Sequence, residues 1–497
     1  MTPVLWGRNI IASGSTRLLQ IRYRLSPYTV PKSHISTAIA TESEDTTSFA
    51  DKPYVDSQFW ENAVGTALRT LMGGAEYDAA SLQQHLTFVS QSVAPALGAR
   101  PTQGQAPQWK SFMTDDYSPL EYSWSWDGER PTIRYSFEPI GPFAGTEWDP
   151  YNHQAPMAYA DHLRRQLPAA DWTWFAHFAR AFHRDTSAKV AAHHDGSSPS
   201  SVFIGFDLGR DGRMMCKMYL VPVKAEQTGQ SRLAVLDDAV RTLPQFSDLS
   251  AYPPLQGFLR HQEEGGTPAH IIGVAVDCVD PSAAKLKIYF RSPSTSFASV
   301  KDTLTAGGTV SSWDACALEQ LRELWSLVLG LPPDFSHDQE LPSKSHETSG
   351  VLYNFDIKLG NQQPETKVYI PVRHYGQSDH AIAVGLVEFL QRRGGRTPYQ
   401  DRFLKALEQY ASFRSLDQGC GVQTYIACAF KRGQLSLTSY LSAEIYHPGR
   451  WEDGILALPR AHSGSGHLAP RVAAASILEW RISTPSGLFR PAYVSVC

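Results

Sequence analysis

The chain has 497 residues, 42% of them hydrophobic and 11% aromatic, with a formal net charge of −4. That length and apolar content suffice for a large packed core, and the slight acidity argues against a general nucleic-acid binder, which would normally be basic. No run of about 18 apolar residues occurs, so no membrane span is expected.

Residues 1–41 contain no Asp or Glu, yet carry Arg8, Arg17, Arg22, Arg24 and Lys32 among many Ser and Thr. That composition resembles a mitochondrial transit peptide. A disordered tail is the plainer expectation, and residues 42–56 read as a polar linker. From Phe59 apolar residues recur at i, i+3 and i+4, which predicts helices over FWENAVGTALRTLM and SLQQHLTFVSQSVAPAL. EYSWSW and TIRYSFEPI then read as strands joined at Asp127-Gly128, a hairpin signal.

The same order recurs four times. Helices near 153–167 and 170–185 precede the strands SVFIGFDLG and RMMCKMYLVPV, with Asp211-Gly212 between them. Helices near 231–245 and 252–263 precede HIIGVAVDCV and KLKIYFRS. Helices near 298–306 and 313–329 precede VLYNFDIKL and TKVYIPV. Helices near 378–393 and 399–412 precede GVQTYIACAFK and QLSLTSYLSAEIY. Ten antiparallel strands in five hairpins tend to curl or close, and closure removes their edges. The expected fold class is therefore α+β: five ααββ repeats forming a ten-stranded antiparallel barrel surrounded by helices. The helices must cover one face of the sheet, so the polar residues at alternate strand positions should look into a lumen.

Three tripeptides of one shape stand in corresponding strands: Lys217-Met218-Tyr219, Lys287-Ile288-Tyr289 and Lys367-Val368-Tyr369. Residues i and i+2 of a strand share a face, so each places an ammonium beside a phenol. Lys285 extends the second run by one more inward position. A single Lys-x-Tyr would read as a solvated edge; its repetition argues for a shared lumen. A lumen lined with Lys, Arg and Tyr is costly unless something anionic occupies it. The six cysteines have no metal-type spacing and read as free thiols of a reducing compartment. Trp124, Trp126, Trp172 and Trp174 read as core or hairpin residues. His193-His194-Asp195, in a Ser/Gly-rich stretch, reads as a solvated loop.

In combination, SPLEYSW at 118–124, IRYSFEPI at 133–140, KMYLVP, KLKIYF, KVYIPV and QTYIACAFKRGQLSLTSYLSAEIY resemble the fungal aromatic prenyltransferases of the dimethylallyl tryptophan synthase type. The resemblance covers residues 57–447, leaving 1–56 as a tail and 448–497 as an extension packed on or beside the barrel. It implies transfer of a dimethylallyl group from its diphosphate to an indole-containing secondary metabolite, without metal or cofactor. It places Arg134, Lys217, Lys285, Lys287, Lys367 and Lys431 on the diphosphate. It makes Tyr219, Tyr289, Tyr369, Tyr425 and Tyr440 the shield of the allyl cation, and Glu121 the acceptor of a proton from the aromatic substrate. The implied partners are the prenyl diphosphate and a small aromatic acceptor, for a cytoplasmic monomer or homodimer. No DDxxD motif is present: Asp115-Asp116 and Asp237-Asp238 lack the remaining aspartate. The chain departs from members acting on free tryptophan at three acceptor-pocket positions, where Ile204, Val221 and Ile272 stand in place of polar contacts to the amino-acid head group. That implies a larger, less charged aromatic acceptor. The alternatives are a phenolic or polyketide acceptor, or a catalytically silent barrel that binds aromatic ligands.

Overall fold

The computed structural model describes residues 52–183, 200–265, 270–431 and 433–452. Ten strands form one closed barrel. They are β1 (Leu120–Ser125), β2 (Thr132–Phe137), β3 (Val202–Leu208), β4 (Met214–Leu220), β5 (His270–Asp277), β6 (Leu286–Ser292), β7 (Val351–Ile357), β8 (Glu365–Ile370), β9 (Gln423–Lys431) and β10 (Gln434–Ser442). Consecutive strands pair antiparallel, and β1 closes on β10 with Glu121 opposite Ser442 and Ser123 opposite Tyr440. A pair of helices precedes every hairpin, from Lys52–Gly74 and Ala79–Phe88 to Asp379–Gly394 and Pro398–Tyr410. The predicted order therefore holds in all five units. The first helix begins at Lys52, inside the stretch read as linker, with Pro53 in the first turn, where a missing N–H costs nothing. The His193-His194-Asp195 loop lies outside the described residues, as do residues 1–51 and 453–497.

Helix starts are set locally. Asp78, Ser231, Ser296, Asp314 and Ser378 each accept a backbone N–H from the first turn of the helix that follows. Asp-Gly does the work in the first two hairpins, where Gly128 and Gly212 take φ of +88° and +78°.

The hydrophobic core lies between the barrel and the helices. On β3 and β4 the residues Val202, Ile204, Phe206, Leu208, Met214, Cys216, Met218 and Leu220 are all buried there. Phe88 meets Phe206 edge-on at 5.3 Å. Trp124 and Trp126 pack on Phe403 of the helix Pro398–Tyr410, as expected of core residues.

Ile204 belongs to this outward set, which corrects its assignment to the acceptor pocket. It stands opposite Met218 and is fully buried against the helices. The residue that turns inward is Phe203, whose ring stacks on Tyr219 at 4.7 Å. A displacement of one position along a strand reverses the face. Ile204→Ala should therefore cost about 2–5 kcal/mol of stability, read from a denaturant midpoint, by leaving a cavity in the core. The relative kcat/KM for different acceptors should not change; a change in acceptor preference at unchanged stability would contradict the outward orientation.

Candidate active site

Alternation along the strands delivers the Lys-x-Tyr tyrosines to the lumen as one continuous layer. Ring centroids lie 6.0 Å apart for Tyr219 and Tyr289, 6.1 Å for Tyr289 and Tyr369, 6.1 Å for Tyr369 and Tyr425, and 5.5 Å for Tyr369 and Tyr440. The five tyrosines named from the sequence are thus brought together. Gly205 makes room for this layer: a Cβ there would meet Tyr219 at 3.0 Å and Ser136 Oγ at 2.9 Å. Burial raises the pKa of every one of these phenols, so they remain neutral and present their ring faces to the lumen.

On one side of this layer lie the cations. Lys217 Nζ sits 2.6 Å from Asp207, and Arg134 Nε 3.2 Å from the same carboxylate. Lys287 pairs with Asp277 at 2.5 Å, and Lys285 with Asp356 at 3.0 Å and Glu365 at 2.7 Å. Burial opposes the charge of Asp207, but Arg134 and Lys217 outweigh it and hold its pKa at about 2. Lys367 is different. It makes no ion pair among the described residues and instead lies over the Tyr369 ring, 4.9 Å from the centroid. Burial, reinforced by the Arg134 charge, pushes its pKa down to about 8. Asn354 stands opposite it on β7, with a side-chain N–H that finds no partner. Lys431, at the end of β9, is half-buried and has its pKa lowered by burial and by Lys367. All six predicted cations therefore share one end of the lumen.

The carboxylates that neutralise them escaped the sequence reading. Asp207, Asp277 and Asp356 recur in GFDL, AVDC and NFDI, one per first strand, at almost the spacing of the lysines. That repeat was the available signal: each aspartate lies next to a Lys-x-Tyr strand.

On the other side of the tyrosines a cavity opens, lined by Glu121, Phe203, Val221, Ile272 and the five tyrosines among others. Val221 and Ile272 thus stand where the sequence reading put them. Ile272 reaches the lumen through a bulge in β5 next to Gly273, whose own Cβ would lie 2.4 Å from the Leu220 carbonyl. Glu121 accepts a hydrogen bond from Thr424 Oγ1 at 3.0 Å. Burial pushes its pKa up to about 8. A carboxyl balanced in this way can exchange a proton near neutral pH, as a general base requires. If Glu121 accepts the acceptor's proton, its ionised form is the one that acts, and kcat/KM for the acceptor should climb with pH and level off above about 8. A profile flat between about pH 6 and 9 would argue that Glu121 takes no proton.

The cavity mouth carries charges that the sequence reading did not name. Arg291, two places beyond Tyr289 on β6, donates to the Thr348 carbonyl at 2.5 Å and to the Tyr425 hydroxyl at 3.2 Å. Arg373 Nε lies 2.8 Å from Asp115. The reading of the acceptor pocket from Ile204, Val221 and Ile272 did not take these cations into account. It weighed positions on β3 to β5 only, whereas the guanidinium groups come from β6 and from the turn after β8. Asp115, His346 and His374 have donor atoms within 4.8 Å of one another, the geometry of a possible metal site. The Thr348 hydroxyl joins them, at 2.9 Å from Asp115, 2.9 Å from His346 and 2.7 Å from His374. The neighbouring Arg373 disfavours a further cation there.

A barrel with a basic end, a tyrosine girdle and a carboxyl facing an apolar cavity defines an aromatic prenyltransferase. A family profile described as tryptophan dimethylallyltransferase matches residues 56–406. A 4-O-dimethylallyl-L-tyrosine synthase of Claviceps purpurea is 35% identical over 89% of this chain and 97% of its own length. A 7-dimethylallyltryptophan synthase of Aspergillus fumigatus is 31% identical over 79% of this chain and 86% of its own. The solved structure of AnaPT from Neosartorya fischeri shares the fold with a TM-score of 0.66 at 24% identity, covering 79% of this chain and 94% of that one. The chain belongs to the tryptophan dimethylallyltransferase family.

Proposed function

We propose that the protein transfers a dimethylallyl group from dimethylallyl diphosphate to an electron-rich aromatic ring, indole first and phenol second, without a metal. The observation that carries this is the order of layers: cations, then tyrosines, then the cavity holding Glu121. The diphosphate lies among Arg134, Lys217, Lys285, Lys287, Lys367 and Lys431. As the allylic C–O bond breaks, the electron pair leaves with the diphosphate, and fixed cations favour that charge over the ground state. The allyl cation left behind faces the tyrosine rings, each worth about 0.5–2 kcal/mol, and they also keep water away. A ring carbon or heteroatom of the acceptor attacks the cation. The proton then lost goes to Glu121, which also faces the acceptor N–H or O–H.

The phenol reading draws support from the 35% identical relative named for 4-O-prenylation of tyrosine, the indole reading from the 7-dimethylallyltryptophan synthase. Incubation with dimethylallyl diphosphate and a panel of indoles and phenols, with EDTA present, tests the proposal. A singly prenylated product is expected from at least one acceptor at a rate unchanged by EDTA. Loss of all turnover in EDTA would overturn the metal-free step, and absence of product from every acceptor would overturn the function.

A further inference from the structure

Glu138, directly after β2, is fully buried and does not line the cavity. Four side chains donate to it: Trp109 Nε1 at 3.0 Å and Asn152 Nδ2 at 2.8 Å on one oxygen, Ser111 Oγ at 2.5 Å and Ser200 Oγ at 2.8 Å on the other. A buried carboxylate is costly unless its oxygens are satisfied, so these donors are held firmly in place. Trp109 and Ser111 belong to residues 97–119, which form no helix or strand. Loops longer than about 12–15 residues are usually functional. Ser200 Oγ also accepts the Phe112 backbone N–H at 3.1 Å. Three residues further on, Asp115 is fixed by Arg373 at 2.8 Å and by the Thr348 hydroxyl at 2.9 Å. Glu138 and Ser200 flank β2 and β3, whereas Thr348 and Arg373 flank β7 and β8. In the closed ring three strands separate these two pairs in either direction. The segment therefore crosses the mouth from one side to the opposite one. Phe112 and Met113 stand at the crossing, half-buried, and line the cavity that holds Glu121.

We propose that Phe112 and Met113 seal the reaction cavity against water, and that Glu138 is the positioning residue that holds them across the mouth. The inference rests on the prenyl-transfer reading and adds to it what decides between transfer and hydrolysis. The tyrosines screen the allyl cation inside the barrel, but the mouth is the open route for water. Its rim is otherwise polar, with Asp115, Arg291, Thr348, Arg373 and His374 all able to hold water there. Water that reaches the cation forms a C–O bond through its oxygen and loses a proton to solvent. The diphosphate has by then left with the electron pair of the broken bond, so the product is a five-carbon alcohol and the donor is wasted. An apolar bar across the mouth keeps that water away while the acceptor is bound.

Radiolabelled dimethylallyl diphosphate, incubated with the panel of indoles and phenols, gives the ratio of five-carbon alcohol to prenylated product after subtraction of the protein-free blank. Phe112→Ala, Met113→Ala and Glu138→Gln should each raise that ratio about 10-fold, because each opens the mouth to water. Phe112→Leu and Met113→Leu should stay near the original ratio, since they keep the seal apolar and nearly filled. Binding of dimethylallyl thiolodiphosphate should change no more than a few-fold in any variant, because the cations lie beyond the tyrosines. Glu138→Gln turns an amide N–H₂ toward two donors and is the variant most exposed to misfolding. Thermal melts check it, and if it does not fold, Ser200→Ala, which removes the link between Glu138 and Phe112, reads the anchor with the same expected rise. An unchanged ratio in Phe112→Ala and Met113→Ala, with prenylated product still formed, would overturn the seal and leave prenyl transfer standing. A raised ratio in those two but not in the folded Glu138 or Ser200 variant would overturn the positioning role of Glu138. Alcohol that rises in the variants, with no prenylated product from any acceptor, would overturn prenyl transfer and leave the seal.

Discussion

Glu121→Gln should lower turnover by about 10²- to 10⁴-fold, the usual worth of a positioned general base, and leave binding of dimethylallyl thiolodiphosphate within a few-fold of the original. The amide keeps the shape of the side chain and can still bond Thr424 Oγ1, so the lumen wall should not rearrange. It cannot take a proton. Neither can it draw electron density toward the ring through a charged hydrogen bond to the acceptor. Donor binding survives because Glu121 faces the cavity, whereas the cations lie beyond the tyrosines. Equal losses of turnover and donor binding would mean that Glu121 supports the barrel and has no part in proton transfer.

Lys287→Met should cost about 3–5 kcal/mol of stability, because it leaves the Asp277 carboxylate buried without its partner at 2.5 Å. Adding Asp277→Asn should recover most of that loss, as removal of both charges often does. Turnover should not recover, and should stay down by about 10²-fold, because a fixed cation for the leaving diphosphate is still missing. The double variant thus separates the two duties of the lysine. If it regains both stability and turnover, Lys287 serves only to neutralise Asp277, and the diphosphate is held elsewhere.

Much of this architecture was legible because one pattern is written five times. Helical periodicity followed by two strands, with Asp-Gly at two of the hairpins, places most elements to within a few residues of their observed ends, the early start of the first helix at Lys52 excepted. The inward face followed from period-two alternation, which put Arg134, the lysines and the tyrosines in one lumen. Ile204 shows where that logic is fragile: an offset counted along the chain, wrong by one residue, exchanges core for lumen, and Phe203 is the residue that turns in. Ile272 shows the opposite case, since a bulge beside Gly273, a strand glycine whose signal went unread, delivers it to the cavity. The charge balance was legible in principle, since Asp207, Asp277 and Asp356 repeat in step with the lysines. Arg373 and Asp115 were not, because loops joining different repeats bring them together across a sequence separation that periodicity cannot span.

The most direct test is a crystal structure with dimethylallyl thiolodiphosphate bound. The diphosphate is expected among Arg134, Lys217, Lys287 and Lys367, with its allyl chain crossing the rings of Tyr219, Tyr289 and Tyr369 toward the Glu121 cavity. A diphosphate seated in the cavity mouth on Arg291 and Arg373 would contradict the account, because the tyrosines would then lie behind the reacting carbon with no cation to screen.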